Sequence, residues 1–371
     1  MADAKVAAAD DVPAATGAAT SVPERPPLPR PVFVTRVVVG VVLAALALYA
    51  PFYFTPADNR VISQALYLAI AAMGLNLLTG FNGQVSIGHG AFFGVGAFTT
   101  AILMVDYGWT FESTLPVALL LTAAIGVAVG FPALRVRGLQ LALVTLGLAV
   151  LLPSVLNKYV NGIGNTPLVQ PSRREFSSLV TFLDDDQWKY FFSLVCVIVL
   201  FVAARNLMNS RTGRVMVATR DHELAAATVG VNLAATKVGT FAISAAYAGL
   251  AGSLSVMVDG QAVGNNPALY FQRSIEFLVA MVIGGTATIM GPLVGAFVLV
   301  LLRRNTEGLI EGKEILSPAL YGAGLIVIMY VLPEGIVGGI HRLMAKVAHR
   351  SPGAAPPADT PVLPPPEAAA G

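Results

Sequence analysis

The stretch YFFSLVCVIVLFVAARNLM, residues Tyr190–Met208, is uncharged as far as Ala204. A helix needs about 20 mostly apolar residues to cross the hydrocarbon core of a bilayer. The stretch therefore predicts a membrane-spanning helix, and six further runs of the same kind predict a polytopic, all-α integral membrane protein. These runs are Val37–Phe54, Val61–Thr79, Thr114–Ala133, Leu139–Leu156, Val238–Val258 and Ala319–Leu332.

The composition of the whole chain agrees with this fold class. Of its 371 residues, 56% are hydrophobic and 12% are charged, whereas an average soluble domain carries about 25% charged residues. So few charges would hardly cover a water-soluble globule, which argues against a soluble enzyme. The net charge of +2 is too small to indicate a nucleic-acid partner. The single cysteine, Cys196, excludes a disulfide within the chain and is expected to be a small buried side chain.

Two regions are apolar but irregular. Ala91–Val105 is short and follows a glycine-rich turn, and Ser274–Leu302 is too long for one regular span. We interpret the second region as two segments, 275–289 and 291–302, which brings the total to about ten membrane segments. Their hinge, or simply their short connection, would be formed by Gly284, Gly285, Gly291 and Pro292.

The distribution of Lys and Arg predicts an orientation in the membrane with both termini on the cytoplasmic side. The basic residues of the expected cytoplasmic stretches include Arg135, Arg137, Arg205, Arg211, Arg214 and Arg220, whereas the loop Asp106–Ser113 has none and should face out. Arg303, Arg304 and Lys313 would also lie outside. They would lie inside if Ser274–Leu302 formed a single span.

The two ends of the chain differ from its membrane part. Residues 1–31 and 346–371 are rich in Pro and Ala and are expected to be disordered tails, the first of them cytoplasmic, around a membrane domain at 32–345. The first sustained apolar run begins near Val37, which is too late for a secretory signal peptide.

Few residues in the spans could couple transport to an ion gradient or perform chemistry. Secondary transporters usually hold charged residues inside the bilayer, but here Glu276 and Arg60 are expected at segment edges. No phosphate-binding GxxxxGK[ST] loop occurs, since Gly312-Lys313 is followed by Glu314. We therefore expect a non-catalytic chain without a cofactor or metal, whose energy source lies in another subunit. A channel or ion-coupled carrier working alone is the alternative, because sodium coupling through carbonyls and hydroxyls needs no charge.

The longest polar stretch on the expected cytoplasmic side is 209–237. Asp221 is a candidate N-cap, Glu223 falls in the first turn of a short helix, Gly230 would end that helix, and Asn232 would cap the next one. This pattern predicts a helix at the membrane surface with a small alanine face that a partner protein could approach. An ordinary basic loop is the other interpretation.

A glycine-rich turn at 80–96 is the second polar feature. Four polar side chains lie in it or just before it: Asn76, Gln84, Ser86 and His89. Non-helical backbone at membrane depth is stable only where it is buried in protein or lines a cavity. The four groups could line the substrate pathway, or they could cap helix ends while the glycines allow close packing.

Other small or polar residues in the spans predict helix contacts. Glycines spaced by four residues favour close packing, and such pairs occur at Gly126–Gly130 and Gly291–Gly295. Gln140 and Thr145 are polar on an apolar span; they are expected to form interhelical hydrogen bonds, and facing the pathway is the alternative.

Several of these blocks together resemble one transporter family. RDHELAAATVGVN (220–232) resembles the EAA…G coupling motif of ABC importer permeases. The blocks at 75–98, 235–254 and 274–296 are similar to LivM-type permeases of branched-chain amino-acid ABC importers. The resemblance covers most of the membrane part. Glu-Leu-Ala-Ala stands where the motif has Glu-Ala-Ala, so its register is uncertain by about one residue.

The resemblance implies partners and a mechanism. Such a permease pairs with a homologous LivH-type permease, two cytoplasmic ATPases that bind ATP and Mg²⁺, and an extracytoplasmic binding protein. Leucine, isoleucine and valine would be moved by alternating access; urea or short-chain amides are the alternative substrates. The residues that the motif assigns to ATPase coupling are Arg220, Asp221, Glu223, Ala225, Ala226 and Gly230.

Overall fold

The computed structural model describes residues 45–136, 138–159, 168–169, 184–260, 262–263, 267–309, 316–340 and 342. The chain divides into two contact units, Met1–Tyr53 and Phe54–Gly371. In the first unit, residues 45–53 are helical. All elements named below lie in the second unit. Both predicted tails, residues 37–44 of the Val37–Phe54 run, Arg137 and Lys313 lie outside the described residues.

The second unit is helical in its described part, apart from one short strand pair. Its helices are α1 (Pro56–Leu75), α2 (His89–Val105), α3 (Phe111–Ala133), α4 (Leu139–Tyr159), α5 (Asp185–Asn209), α6 (Arg211–Asp221), α7 (Glu223–Thr228), α8 (Leu233–Asp259), α9 (Pro267–Gly284), α10 (Gly291–Leu309) and α11 (Leu316–Val331). A π-helical turn, Asn76–Phe81, continues α1. Strand β1 (Leu168–Val169) pairs antiparallel with β2 (Ala262–Val263). Residues 335–340 form a last helical turn.

Two helix starts have local causes in the sequence. At α1, the Thr55 hydroxyl accepts from Asp58 N at 3.2 Å and Thr55 N donates to the Asp58 carboxylate at 3.1 Å, with Pro56 as the first helical residue. At α5, Asp184 and Gln187 form the same reciprocal capping box. Each box satisfies backbone N–H groups that have no partner within the helix.

Five of the described helical stretches are long and apolar enough to cross a membrane: Pro56–Phe81, Phe111–Ala133, Asp185–Asn209, Leu233–Asp259 and Leu320–Ile340. They coincide with five of the predicted runs. His89–Val105 and Gln140–Leu151 are shorter apolar helices. The chain therefore has the fold of a multi-pass, all-helical membrane protein, and the total of ten segments stays a prediction.

Helix α8 is central to the unit and packs against α1, α2 and α3. Small residues make this possible, since a Cβ at Gly252 would lie 1.9 Å from the Phe93 carbonyl oxygen of α2. On α3, a Cβ at Gly126 would lie 2.6 Å from the Ala245 Cβ of α8, which confirms the packing role predicted for Gly126 and Gly130. Such close backbone approach is how helices associate without a hydrophobic driving force.

The predicted break in 274–302 is confirmed, although its boundaries differ. Helix α9 begins at Pro267, not 275, and ends at Gly284, and α10 begins at Gly291. The two helices form an antiparallel hairpin, in which Gly284 lies against Gly291 and Gly295 lies against Ala280. Ser274–Leu302 is therefore not one continuous helix. The hairpin returns the chain to the end of the unit where α1 begins, and there Arg304 pairs with Asp58.

Candidate coupling site and transport pathway

The segment between α5 and α8 forms a short helix as predicted, but its start is different. Asp221 was expected to be the N-cap; it is instead the last residue of α6, because His222 adopts an extended conformation (φ −148°, ψ 90°) and separates α6 from α7. Gly230 stops α7 with a φ of +85°, in the left-handed region that glycine tolerates. The Asn232 side chain caps α8 by accepting from Ala235 N at 3.0 Å, as predicted.

Helix α7 exposes apolar side chains that the alanine pattern did not single out. Leu224 is 79% exposed and Val229 is 80% exposed, and Ala225 is exposed beside them. Ala226, which the motif assigned to the same surface, is buried on the face of the helix opposite Leu224. Exposed apolar groups on a short surface helix suit a partner interface.

Arg220 links this segment to the glycine-rich turn. Its Nη1 donates to the Gly80 carbonyl at 2.8 Å, and its Nε contacts the Asp221 carboxylate at 2.9 Å. The aliphatic part of Arg220 lies over Gly83, where a Cβ would come within 2.8 Å of the Arg220 Cγ. Gly83 also has a φ of +74°, so this position favours glycine both for its backbone conformation and for the lack of space beside Arg220. The surface segment and the end of α1 are thus in direct contact.

Glu223 faces α8 rather than a free surface. Its carboxylate accepts from the Lys237 ammonium at 2.6 Å, and the Lys237 carbonyl accepts from the Gln84 carboxamide at 3.2 Å. A cavity of about 160 Å³ lies here, bordered by Gln84, Arg220, Glu223 and Lys237. Two of the predicted coupling residues, Arg220 and Glu223, therefore meet one predicted pathway residue, Gln84, at this cavity.

Asn76, the first residue of the π-helical turn, binds the break between α9 and α10. Its Nδ2 donates to the Thr288 carbonyl at 2.8 Å, and its Oδ1 accepts from Ala287 N at 2.9 Å. Ala287 has a φ of 57°, which is unusual for a residue with a Cβ. Asn76 is 1% exposed. Its amide holds the turn at 285–290, and this geometry favours the structural interpretation that the sequence left open.

The turn at 285–290 has further hydrogen bonds of its own. The Thr288 hydroxyl donates to the Gly285 carbonyl at 2.7 Å and accepts from Gly291 N at 3.1 Å. Gly285 has a φ of +118°. Three of the predicted hinge residues therefore form or flank an ordered turn, and Pro292 follows as the second residue of α10.

Ser86 and His89 are buried between helices. His89 Nε2 lies 2.6 Å from the Ser244 hydroxyl and Nδ1 lies 3.3 Å from the Ser86 hydroxyl. Ser244 donates its own proton to the Gly74 carbonyl, so Nε2 must be the donor to Ser244 and Nδ1 the acceptor from Ser86. The imidazole thereby joins the start of α2 to α8 and α1.

The Thr145 hydroxyl accepts from Ile87 N at 3.1 Å, so Thr145 binds the glycine-rich turn before α2 and not, as had been expected, another helix. Gln140 is exposed at the start of α4. Cys196 on α5 is partly buried.

A charged cluster at the other end of α1 was missed by the sequence reasoning. Glu276 was expected at a segment edge, but it lies in the middle of α9, because α9 begins eight residues earlier than predicted. It is nearly buried, with Arg273 at 2.8 Å and Arg303 of α10 at 3.6 Å. Arg60 does lie near the edge of α1, 3.9 Å from Asp186. The Arg273 and Glu276 pair inside an apolar run was the available signal.

A family model described as the permease component of the branched-chain amino acid transport system matches residues 59–329, which include all of these sites. The chain belongs to this family. It is 30% identical over 320 residues to the high-affinity branched-chain amino acid transport system permease protein LivM of Escherichia coli (strain K12), covering 80% of this chain and 74% of LivM. It is 26% identical over 292 residues to LivH of the same strain, covering 73% of this chain and 91% of LivH. No solved structure matches.

Proposed function

We propose that this chain is a permease subunit of an ABC importer for branched-chain amino acids in the bacterial cytoplasmic membrane. Family membership and the likeness to LivM support this function. A LivH-type permease would be its partner in the membrane, two ATPases would bind ATP and Mg²⁺ on the cytoplasmic side, and a binding protein would deliver the amino acid from outside. In this proposal both termini lie in the cytoplasm.

The observation that carries the mechanism is the bond from Arg220 to the Gly80 carbonyl. An ATPase that binds Leu224 and Val229 and moves on ATP closure would displace α6 and α7. Arg220 would pass this displacement to the π-helical turn, and Asn76, in the same turn, would pass it to the break at 287–288. Single π-helical turns inside α-helices occur often at functional sites. The turn is therefore a suitable place for alternating access to begin.

Leucine uptake tests this function directly. In a strain that lacks this chain, uptake of labelled leucine, isoleucine and valine should fall, and the intact chain should restore it. Unchanged uptake of all three amino acids would contradict the proposal. Uptake of urea and acetamide in the same strain separates the alternative substrates.

An ion-coupled carrier is the second candidate, because Glu276 is a nearly buried carboxylate within the membrane part. Its two arginine neighbours compensate the charge, which makes it less suited to bind a cation alone. The purified chain can be reconstituted without ATPases to decide between them. Uptake driven by a proton or sodium gradient would support the carrier, and a strict need for ATPases and ATP would exclude it.

A further inference from the structure

We propose that a second cavity, between α1, α9 and α10, binds the substrate amino acid through both of its charged groups and its aliphatic side chain. The inference rests on the proposed function and names the substrate site. The cavity has a volume of about 260 Å³. Pockets for drug-sized ligands span roughly 300–1,000 Å³, so this one suits a smaller molecule such as a single amino acid.

The polar part of the cavity offers both signs of charge. Glu276 has a side chain that is 11% exposed, and Arg303, at 3.6 Å from it, is 49% exposed. Arg303 lines the cavity with about half of its side chain exposed, so its guanidinium can reach a ligand carboxylate and bind it with two N–H groups. The Glu276 carboxylate, still paired with Arg273 at 2.8 Å, accepts from the ligand ammonium.

Two further polar side chains of the cavity, Gln64 and Tyr67, are held in place by Asp259 at the end of α8. Asp259 accepts from the Gln64 carboxamide at 2.9 Å and from the Tyr67 hydroxyl at 3.1 Å. Both side chains line the cavity. With their donors fixed on Asp259, they are preorganised, which reduces the ordering cost of binding.

Apart from Arg304, which also lines the cavity and pairs with Asp58, the remaining wall is apolar. It is formed by Val61, Leu68, Leu299 and Val300. A branched aliphatic side chain would replace water against this wall, while urea or a short amide would leave the Arg303 and Glu276 charges without a matching ligand charge. The lining therefore favours an aliphatic zwitterion over the neutral alternatives.

The position of the cavity fits delivery from outside. Val61 and Gly80 are 19 residues apart on α1 and its π-helical continuation, which corresponds to about 30 Å along a helix. The cavity thus lies at the end of α1 opposite α6 and α7. In the proposed orientation it opens toward the extracytoplasmic side, where the binding protein releases the amino acid.

The test is protection of a cysteine introduced into the cavity, in the purified complex of both permeases and the ATPases in nanodiscs. Val300→Cys is made in a Cys196→Ala background and labelled with a maleimide. L-Leucine should slow labelling severalfold, whereas urea, 4-methylpentanoate and isopentylamine should have little effect, because each lacks one or both charges. Labelling that L-leucine does not slow would overturn the inference.

A binding measurement with the same complex gives a second readout. Arg303→Gln should weaken L-leucine binding by roughly 10- to 100-fold, the effect of losing a charge-assisted hydrogen bond. It should weaken binding of L-leucinamide much less. Arg342→Gln, at the other end of the unit, is the matched control. If wild-type complex takes up leucine with ATP while neither readout responds, the inference fails and the proposed function stands. If the wild-type complex takes up no leucine, the proposed function fails, and the inference that rests on it fails with it.

Discussion

Arg220 is the residue at which a single substitution should separate ATP hydrolysis from transport. Arg220→Ala removes the bond to the Gly80 carbonyl but leaves Leu224 and Val229 on the docking surface unchanged. We expect leucine uptake by the reconstituted complex to fall at least roughly tenfold, as for a lost charged hydrogen bond, while the ATPases stay bound and hydrolyse ATP. The ratio of ATP hydrolysed to leucine transported measures this uncoupling. Arg214→Ala, another exposed arginine on α6, should keep the wild-type ratio; an equal loss in both variants would contradict the role of Arg220.

Asn76 is the residue on which the break between α9 and α10 depends. In Asn76→Ala, the Thr288 carbonyl and Ala287 N–H lose their partner at a partly buried site, and each such loss costs up to about 1–3 kcal/mol. The thermal midpoint of the detergent-solubilised protein should therefore fall clearly. Thr99→Ala is a matched control, since the Thr99 hydroxyl bonds only to Val95 of its own helix. Comparable midpoints for both variants would show that Asn76 does not hold the turn.

At the scale of the element, substitution by alanine at two glycines of α8 should have different effects on the thermal midpoint. Gly252→Ala places a Cβ 1.9 Å from the Phe93 carbonyl oxygen and must separate α2 from α8, whereas nothing lies within 4 Å of a Cβ at Gly239. The first change should lower the thermal midpoint strongly. The second should be neutral or stabilising, because Ala is favoured over Gly in a helix by about 1 kcal/mol. A similar midpoint for both variants would mean that α2 and α8 are not in backbone contact.

The elements that were predicted correctly have causes that are local in sequence. The length of an apolar run, the left-handed Gly230 and the cap at Asn232 depend on a few neighbouring residues, and so does the break after Gly284. The N-cap of α7 was misplaced by one residue. Asp is a preferred N-cap residue, but the extended residue that separates α6 from α7 is His222. Arg220 and Gly80 are 140 residues apart, and Asn76 and Thr288 are 212 apart. Neither pairing has a local signal, so the connection between the predicted coupling segment and the predicted hinge required the structure.

At the scale of the whole molecule, α1 connects the proposed substrate cavity to the segment that is proposed to bind the ATPase. Val61 and Leu68 line the outer cavity, and the continuation of the same helix carries Asn76 and Gly80. A ligand bound at one end and an ATPase bound at the other would therefore act on one rigid element that ends in an irregular turn. Coupling between the two sites would then require contacts along α1 that differ between two states of the transporter.

Cysteine labelling from the two sides of the membrane would test this orientation. Tyr107 lies in the turn between α2 and α3 and is 69% exposed, and Leu224 lies on α7. In a Cys196→Ala background, a membrane-impermeant maleimide should label Tyr107→Cys in intact spheroplasts but label Leu224→Cys only after permeabilisation. Added ATPase subunits should then protect Leu224→Cys, because that side chain would be covered by the docked partner, and should leave Tyr107→Cys unchanged. Labelling of Leu224→Cys from outside would show that the chain has the opposite orientation in the membrane. Labelling from inside without protection would keep the topology but remove α7 from the ATPase interface, so the two parts of the proposal are tested separately.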